Sequence, residues 1–328
     1  MIKAFLWLLL TAAMACLLPR DALSQQDTAV RRIGIVLPGR PLAPDAPRPA
    51  PSEMVRAFRE ALASHGYVVG KNLAIELRIG EYEQLPALAK ELERTKVEVI
   101  WVIGTRAVRI VQAAVKRTPL VMYSCDPFEH VAKLSRPGSN VTGTTCMTTE
   151  LSPKRLELLK ELLPAARRVV FFGDPEDAPL GWRLTRDAAP KLGLSVQMVP
   201  YKDRDGIPAA LEKIAQIKPD AVFVYPDVIL GGQAGQLAQF WLAHALPSMN
   251  AFPAFADAGG LMSYGAVSDE VGAMMGTQAA KILDGARPQD VPVQRATRFH
   301  LVINLRTAKA LGVKVPQSLL LRADRVIE

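Results

Sequence analysis

The sequence has 328 residues, of which 49% are hydrophobic and 22% charged, a composition typical of folded globular proteins. The net charge of +8 is spread along the chain, and only 6% of the residues are aromatic, so the chain has no basic block with interleaved aromatics that would predict nucleic-acid binding. Even without an N-terminal export signal the chain is longer than one hydrophobic core usually organises, and we expect two lobes.

The N-terminus predicts a signal peptide over residues 1–24. Lys3 precedes an apolar run over residues 4–18, which is too short for a membrane anchor, and Ser24 ends a small-x-small triplet typical of cleavage sites. No later run approaches the roughly 18 apolar residues that a spanning helix needs. We therefore expect a soluble periplasmic protein. Lipidation of Cys16 is the alternative, although the leucine usually found three residues before such a cysteine is missing.

Strand-length apolar runs alternate with segments of helical period, which predicts an α/β protein with parallel sheets. The first set of strands is expected at residues 33–37, 73–79, 97–103, 120–124 and 141–145. The second set is expected at residues 169–173, 196–201, 221–225 and 247–252. Two similar sets predict two similar lobes.

The C-terminal part of the chain is too short for a third lobe. It carries a predicted helix over residues 268–284, a strand over 299–305 and a short helix over 306–311. We expect it to return once to each lobe, which makes the connection between the lobes a hinge of several crossing strands. The predicted lobes comprise residues 31–147 plus 261–293 and residues 148–260 plus 294–328.

Ligands of open parallel α/β sheets bind beyond the carboxyl ends of the strands. The candidate ligand-binding residues in such loops are Pro38, Gly39, Gly104, Thr105, Arg106, Asp126, Pro127, Asp174, Asp227, Phe252 and Phe255. Thr105 is predicted to cap a helix over residues 106–116, whose free N–H groups could hold a carboxylate or phosphate. The simpler alternative is an ordinary helix cap.

Asp126 and Asp227 end predicted strands of different lobes, so they could clamp an ammonium group between them. Both lie beside a proline, and the alternative is turn formation. Phe252, Phe255 and Tyr264 would suit the wall of a small-molecule pocket, or they pack in the core.

No pattern for catalysis, a cofactor or a metal stands out. The four histidines lack metal-ligand spacing, and no nucleophile elbow, phosphate-binding loop or dinucleotide motif is present. We expect a protein that is not an enzyme and needs no cofactor. Cys125 and Cys146 lack CxxC spacing, and sequence leaves open whether they are buried thiols or a disulfide.

Several strings carry a resemblance to a known family. They are residues 57–59, 65–67, 70–72, 136–143, 156–160, 258–265 and 301–312, including the runs RPGSNVTG, AGGLMSYG and LVINLRTAKALG. In this order and spacing, from about Arg31 to Glu328, the chain resembles the ABC-transporter substrate-binding proteins of the family that includes tryptophan/tyrosine binders. The resemblance implies a type I periplasmic binding fold, with two Rossmann-like lobes that close on a small ligand. It also implies that Gly104-Thr105 and Asp126-Pro127 face the cleft.

Arg106 departs from the resemblance, because relatives often carry proline or alanine there. Together with Arg40 and Arg48 it could favour an acidic ligand, or these arginines could be solvated. The predicted function is capture of an amino-acid-like or organic-acid solute for an ABC permease and its ATPase, with membrane contact only through the permease. The alternatives are a ligand-sensing module for a membrane receptor and, more distantly, an exported hydrolase.

Overall fold

The computed structural model describes residues 30–41, 52–174, 176 and 178–328. The predicted signal peptide, Cys16 and Arg48 lie outside these residues. The first half of the fold alternates strands and helices: β1 (Arg31–Pro38), α1 (Glu53–Ser64), β2 (Leu73–Gly80), α2 (Leu85–Arg94), β3 (Val99–Ile103), α3 (Thr105–Ala114), β4 (Leu120–Ser124) and β5 (Val141–Thr145).

The same alternation is repeated in the second half. Its elements are α4 (Ser152–Leu162), β6 (Arg168–Phe172), α5 (Pro179–Ala188), β7 (Ser195–Val199), α6 (Ile207–Ile217), β8 (Ala221–Val224), α7 (Val228–Gly231), α8 (Ala234–Ala243), β9 (Ser248–Asn250), α9 (Pro253–Asp257) and β10 (Met262–Ala266). The chain ends with α10 (Ser268–Leu283), β11 (Gln294–Arg295), β12 (Phe299–Asn304), α11 (Leu305–Ala310), α12 (Gln317–Leu320) and β13 (Arg325–Ile327).

These strands form two sheets, so the predicted α/β fold with two Rossmann-like lobes is confirmed. The first sheet has the order β11-β5-β4-β3-β1-β2 and is parallel throughout. The second has the order β13-β12-β10-β9-β8-β6-β7, in which only the β10–β12 pair is antiparallel. The central strands are apolar runs because helices cover both faces of such a sheet.

Helix α10 returns to the first lobe and packs closely on α1. A Cβ atom on Gly272 would stand 2.1 Å from the carbonyl oxygen of Met54, and one on Gly276 would stand 2.5 Å from that of Phe58. Only glycine permits backbones this close. The Phe58 ring also stacks on Trp101 of β3, with 4.4 Å between centroids, so α1 and α10 together cover one face of the first sheet.

The chain crosses between the lobes three times, at residues 146–151, at Val267 and at residues 296–298. The second and third crossings are tied together, because the N–H of Val267 donates to the carbonyl of Arg298 at 3.1 Å. This is the hinge of several crossings that the sequence predicts.

The bounds of the lobes stay a prediction, and strand pairing differs from them at two places. Strand β10 pairs with β9 and β12 in the second sheet, whereas the predicted bounds place residues 261–293 in the first lobe. Strand β11 pairs with β5 in the first sheet, whereas residue 294 was expected to begin the second lobe's last segment. The expected order of crossings is unaffected.

Candidate functional site

The carboxyl ends of the two sheets face each other where α3 meets the second lobe. A Cβ atom on Gly104, just after β3, would lie 3.3 Å from Cγ2 of Val228 in α7. Gly104 has a φ of 100°, a conformation that favours glycine. Helix α7 also packs on β1, the strand that ends at Pro38 and is followed by Gly39.

Arg106 and Asp174 form a buried ion pair across this interface. Nη1 of Arg106 lies 2.9 Å from Oδ2 of Asp174, and the two residues are 8% and 2% exposed. The same nitrogen donates to the carbonyl oxygen of Lys202 at 3.2 Å, and the guanidinium lies over the Tyr82 ring at 4.1 Å. Arg106 is therefore not the solvated side chain that the sequence left possible.

A carboxylate beside Asp174 extends this cluster. Oε2 of Glu176 lies 3.2 Å from Nε of Arg106, and the Glu176 N–H donates to Oδ1 of Asp174 at 2.9 Å. Burial raises the pKa of Asp174, although the Glu176 N–H and Arg106 act in the opposite direction. Nη2 of Arg109 also lies 3.8 Å from Oε2 of Glu176, so the cluster presents two arginines from the first lobe and two carboxylates from the second.

Thr105 directly precedes Arg106 in α3 and does not have the capping role predicted for it. The residue that caps α3 is Gly104, and Thr105 is the first residue of the helix. The Thr105 hydroxyl is buried and lies 3.2 Å from Oγ of Ser124, which in turn lies 3.1 Å from Nε2 of His130. The threonine side chain therefore belongs to a hydroxyl–imidazole network at the ends of β3 and β4.

Asp126 and Pro127 lie beside a groove between the lobes. The groove has a volume of about 380 Å³ and is lined by Asp126, Phe128, Glu129, Pro179, Leu180 and Arg183, the last three from α5. Burial raises the pKa of Asp126, against the effects of the Phe128 N–H and of Arg183. Phe128 is 55% exposed, so an aromatic ring is available at this groove.

The remaining candidates have local structural roles. Asp227 caps α7, because its Oδ1 accepts a hydrogen bond from the N–H of Leu230 at 2.7 Å. Phe252 is half-buried and packs against the apolar cluster of the first lobe and α10. Phe255 is 3% exposed, and its ring occupies the space beside Gly260 of the second lobe.

Sequence reasoning missed Tyr82 and the His130 network. Tyr82 follows the carboxyl end of β2, so the rule that selected the other loops would also have selected this one. Among the residues that the structure describes, no group of three or more His, Cys, Asp or Glu could hold a metal ion. In those same residues, no helix is long and apolar enough to cross a membrane.

Solved structures of other proteins share this fold. A conserved domain protein from Vibrio cholerae is 23% identical with a TM-score of 0.80, over 90% of this chain and 99% of that chain. An ABC domain in complex with L-Trp from Streptococcus pneumonia is 23% identical with the same TM-score of 0.80, over 91% of this chain and 100% of that chain. A ligand-free, open substrate-binding protein from Clostridium difficile is 23% identical with a TM-score of 0.58, over 91% and 99%.

The comparison with curated protein sequences gives no match. The family described as ABC transporter substrate binding protein matches residues 47–327, which is most of the chain. With the fold of two lobes and the buried contact between them, this match shows that the chain belongs to the ABC transporter substrate-binding protein family.

Proposed function

We propose that this protein captures a small organic solute between its lobes and presents it to an ABC permease for import, without chemical change. The observation that carries the proposal is the Arg106–Asp174 pair, which joins the first turn of α3, just after β3, to the loop after β6 in the other lobe. A side chain can be 2% exposed in such a pair only while the lobes are together. The site therefore has the property that a closing cleft requires, namely contacts that form on closure.

The charges of the pair favour a solute that carries both an acidic and a basic group. A carboxylate can replace Asp174 at the Arg106 fork, and an ammonium group can then compensate Asp174, while Glu176 keeps its contact with Arg109. A solute with only one of the two groups would leave the buried charge of either Arg106 or Asp174 uncompensated, which costs several kcal/mol. An amino-acid-like solute satisfies both sides, and the relative solved with L-Trp supports this class.

The groove beside Asp126 supplies room for the rest of such a solute. It lies between the same two lobes and offers the exposed Phe128 ring and the aliphatic Pro179 and Leu180. Aromatic and aliphatic walls with a few charged groups are typical of small-molecule sites. We infer that the ammonium and carboxylate bind near Arg106 and Asp174 while the side chain of the solute extends toward this groove.

We also propose that the protein acts after export. The predicted signal peptide over residues 1–24 and the family support a periplasmic location, with the permease as the point of contact with the membrane. A ligand-sensing module for a membrane receptor would use the same cleft. Uptake of labelled solute by cells that lack the protein separates the two roles, because loss of uptake supports import and unchanged uptake supports sensing.

A thermal-shift screen tests solute capture. The panel contains aromatic and aliphatic amino acids, aromatic acids without an amine, and dicarboxylates. A solute at 100 times its Kd adds about 2.7 kcal/mol of stability, which should raise the melting temperature by about 5 °C. We expect amino acids to shift the melting temperature more than the matching acids without an amine. A flat response across the panel would contradict the proposal.

Two variants then locate the solute by calorimetry. Arg106→Ala removes the proposed carboxylate partner and should weaken binding about a hundredfold, since charge-assisted hydrogen bonds contribute roughly 1.5 to 3 kcal/mol each. Thr105→Val keeps the shape but removes a hydroxyl that is bonded to Ser124, so we expect a loss of at most about tenfold. Wild-type affinity in both variants would move the site toward Asp126 and Asp227.

A further inference from the structure

Cys125 and Cys146 stand side by side at the ends of neighbouring strands. Ser124, the last residue of β4, pairs in parallel register with Thr145, the last residue of β5. Cys125 and Cys146 are the residues that directly follow these two strand ends. Paired residues of parallel strands project their side chains to the same face. The two Sγ atoms are 3.2 Å apart, which a small rotation of either side chain would reduce to bonding distance.

The surroundings of Cys146 favour its thiolate. The Thr148 hydroxyl donates a hydrogen bond to Sγ at 2.7 Å, and the residue is fully buried. Burial alone would raise the pKa of the Cys146 thiol, but hydrogen bonds from Cys125, Thr148 and Tyr123 outweigh it and lower the pKa to about 7. Thiolate is the form that attacks disulfides, so this environment favours exchange chemistry.

A buried arginine reinforces this environment. Arg155 is fully buried, and its guanidinium donates to the carbonyl oxygens of Thr148 and Tyr264 and to the Ser152 hydroxyl, all of them uncharged acceptors. Burial lowers the pKa of Arg155 to about 10, against the favourable charges of nearby acidic groups that include both cysteines. A thiolate at the cysteine pair would therefore bring a negative charge near a cation that is held by neutral groups.

We propose that Cys125 and Cys146 form a reversible disulfide that fastens the first crossing between the lobes to the loop carrying Asp126. Cys146 is the first residue of that crossing, and Cys125 directly precedes Asp126. Further along the same crossing, Thr149 lies 3.0 Å from the Tyr225 hydroxyl of the second lobe. The bond would thus connect the candidate site to the hinge through a covalent link.

Oxidation requires a disulfide-bearing oxidant, such as oxidised glutathione or a thiol oxidoreductase. Cys125 is partly exposed and, as the thiolate, attacks one sulfur of the oxidant, which releases one thiolate and leaves a mixed disulfide at Cys125. The Cys146 thiolate then attacks Sγ of Cys125 and releases the second thiolate. The two protons lost by the cysteines end on the two released thiols, so two thiols are oxidised and one disulfide is reduced.

Peptide mapping in glutathione buffers tests the proposal. The purified protein is equilibrated with mixtures of reduced and oxidised glutathione, quenched with acid, alkylated and digested with trypsin. Cleavage after Arg117, Lys133 and Lys154 places the cysteines in peptides 118–133 and 134–154, and Cys16 in the separate peptide 4–20. We expect the two peptides linked in oxidising buffer and separately alkylated in reducing buffer. Full alkylation of both in the most oxidising buffer, or a link only between two chains, would overturn the proposal.

Variants add a thermal readout. The disulfide closes a loop of about 20 residues, so oxidation should raise the melting temperature of the wild type by about 5 °C, a shift that reductant removes. Cys125→Ser should show no redox-dependent shift. Cys146→Ser should accumulate glutathione on Cys125, because no second thiolate resolves the mixed disulfide. A redox-dependent shift that persists in Cys125→Ser would overturn the assignment, and the wild-type mapping decides the question even where a variant folds poorly.

Discussion

The guanidinium of Arg106 in the first lobe donates to the carboxylate of Asp174 in the second lobe at 2.9 Å, and both side chains are buried. A second pair bridges the lobes nearby, with Nη2 of Arg40 at 2.8 Å from Oδ1 of Asp205, but there the side chains are 57% and 76% exposed. The two pairs join the same lobes and differ in burial. A comparison of the two pairs therefore measures how much burial of an ion pair contributes to holding the lobes together.

We expect Asp174→Ala to shift the protein toward an open arrangement of the lobes. It removes the buried carboxylate at 2.9 Å and leaves the Arg106 guanidinium with Glu176, whose side chain is 57% exposed. Breaking a buried pair costs about 3 kcal/mol or more unless water reaches the remaining charge. Separation of the lobes admits that water. Small-angle scattering should show a larger radius of gyration for Asp174→Ala than for the wild type.

Asp205→Ala is the matched control. The Arg40–Asp205 pair is exposed, and such pairs contribute at most about 1 kcal/mol. This variant should keep the wild-type radius of gyration and nearly the wild-type stability to urea. An equal opening in both variants would mean that burial of Asp174 does not hold the lobes together.

A second prediction concerns Gly104, which combines a positive φ with a close contact to the other lobe. Gly104→Ala should be destabilising by about 1 to 3 kcal/mol for the backbone conformation alone. In addition, the new Cβ would stand 3.3 Å from Val228, which crowds the interface when the lobes are together. We expect weaker solute binding than the loss of stability alone explains.

Gly285→Ala separates these two effects. Gly285 has a φ of 95°, close to the 100° of Gly104, but a Cβ there would meet no atom within 4 Å. Both variants should lose similar stability in urea unfolding, and only Gly104→Ala should weaken solute binding in calorimetry. Equal binding by the two would show that Val228 moves aside or that the lobes do not close at this point.

The central strands could be predicted because their sequences are compatible with only one type of secondary structure. Strand β3 is the apolar run Val99–Ile103, and nothing but a buried strand suits so short a run beside a glycine. Strand β10 was missed, because its sequence MSYGA contains serine and glycine, which are ordinary turn residues. In the structure a Cβ on Gly265 would lie 2.2 Å from the carbonyl oxygen of Ala251, so this glycine permits close approach of two chain segments.

At the candidate site, the sequence could predict the loops but not the contacts between them. Arg106 and Asp174 follow strands of different lobes, and the rule about carboxyl ends selects both. Their pairing could not be predicted, because the two residues are 68 positions apart and meet only through the arrangement of the lobes. Thr105 is a comparable case, because its partner Ser124 ends strand β4 and lies 19 positions further along the chain.

The last prediction is that His130 makes the protein less stable in mild acid. Burial, together with the positive charge of Arg109, lowers the pKa of His130 to about 4, whereas an unfolded histidine titrates near 6.5. Between these values the unfolded state binds a proton that the folded state does not. The stability contributed by neutral His130 is therefore fully present above about pH 6.5 and is lost as the pH falls toward 4, by about 3 kcal/mol in total.

His130→Gln removes the titration and retains a polar group for Ser124. Urea unfolding at pH 7, 6 and 5 should show the wild type losing up to about 1.4 kcal/mol per pH unit relative to the variant. Asp126 and Asp174 titrate in both proteins, so their effects cancel in the difference. Parallel stability curves for the two proteins would mean that His130 gains its proton in the folded state as readily as in the unfolded state, and that the Ser124–His130 network tolerates charge.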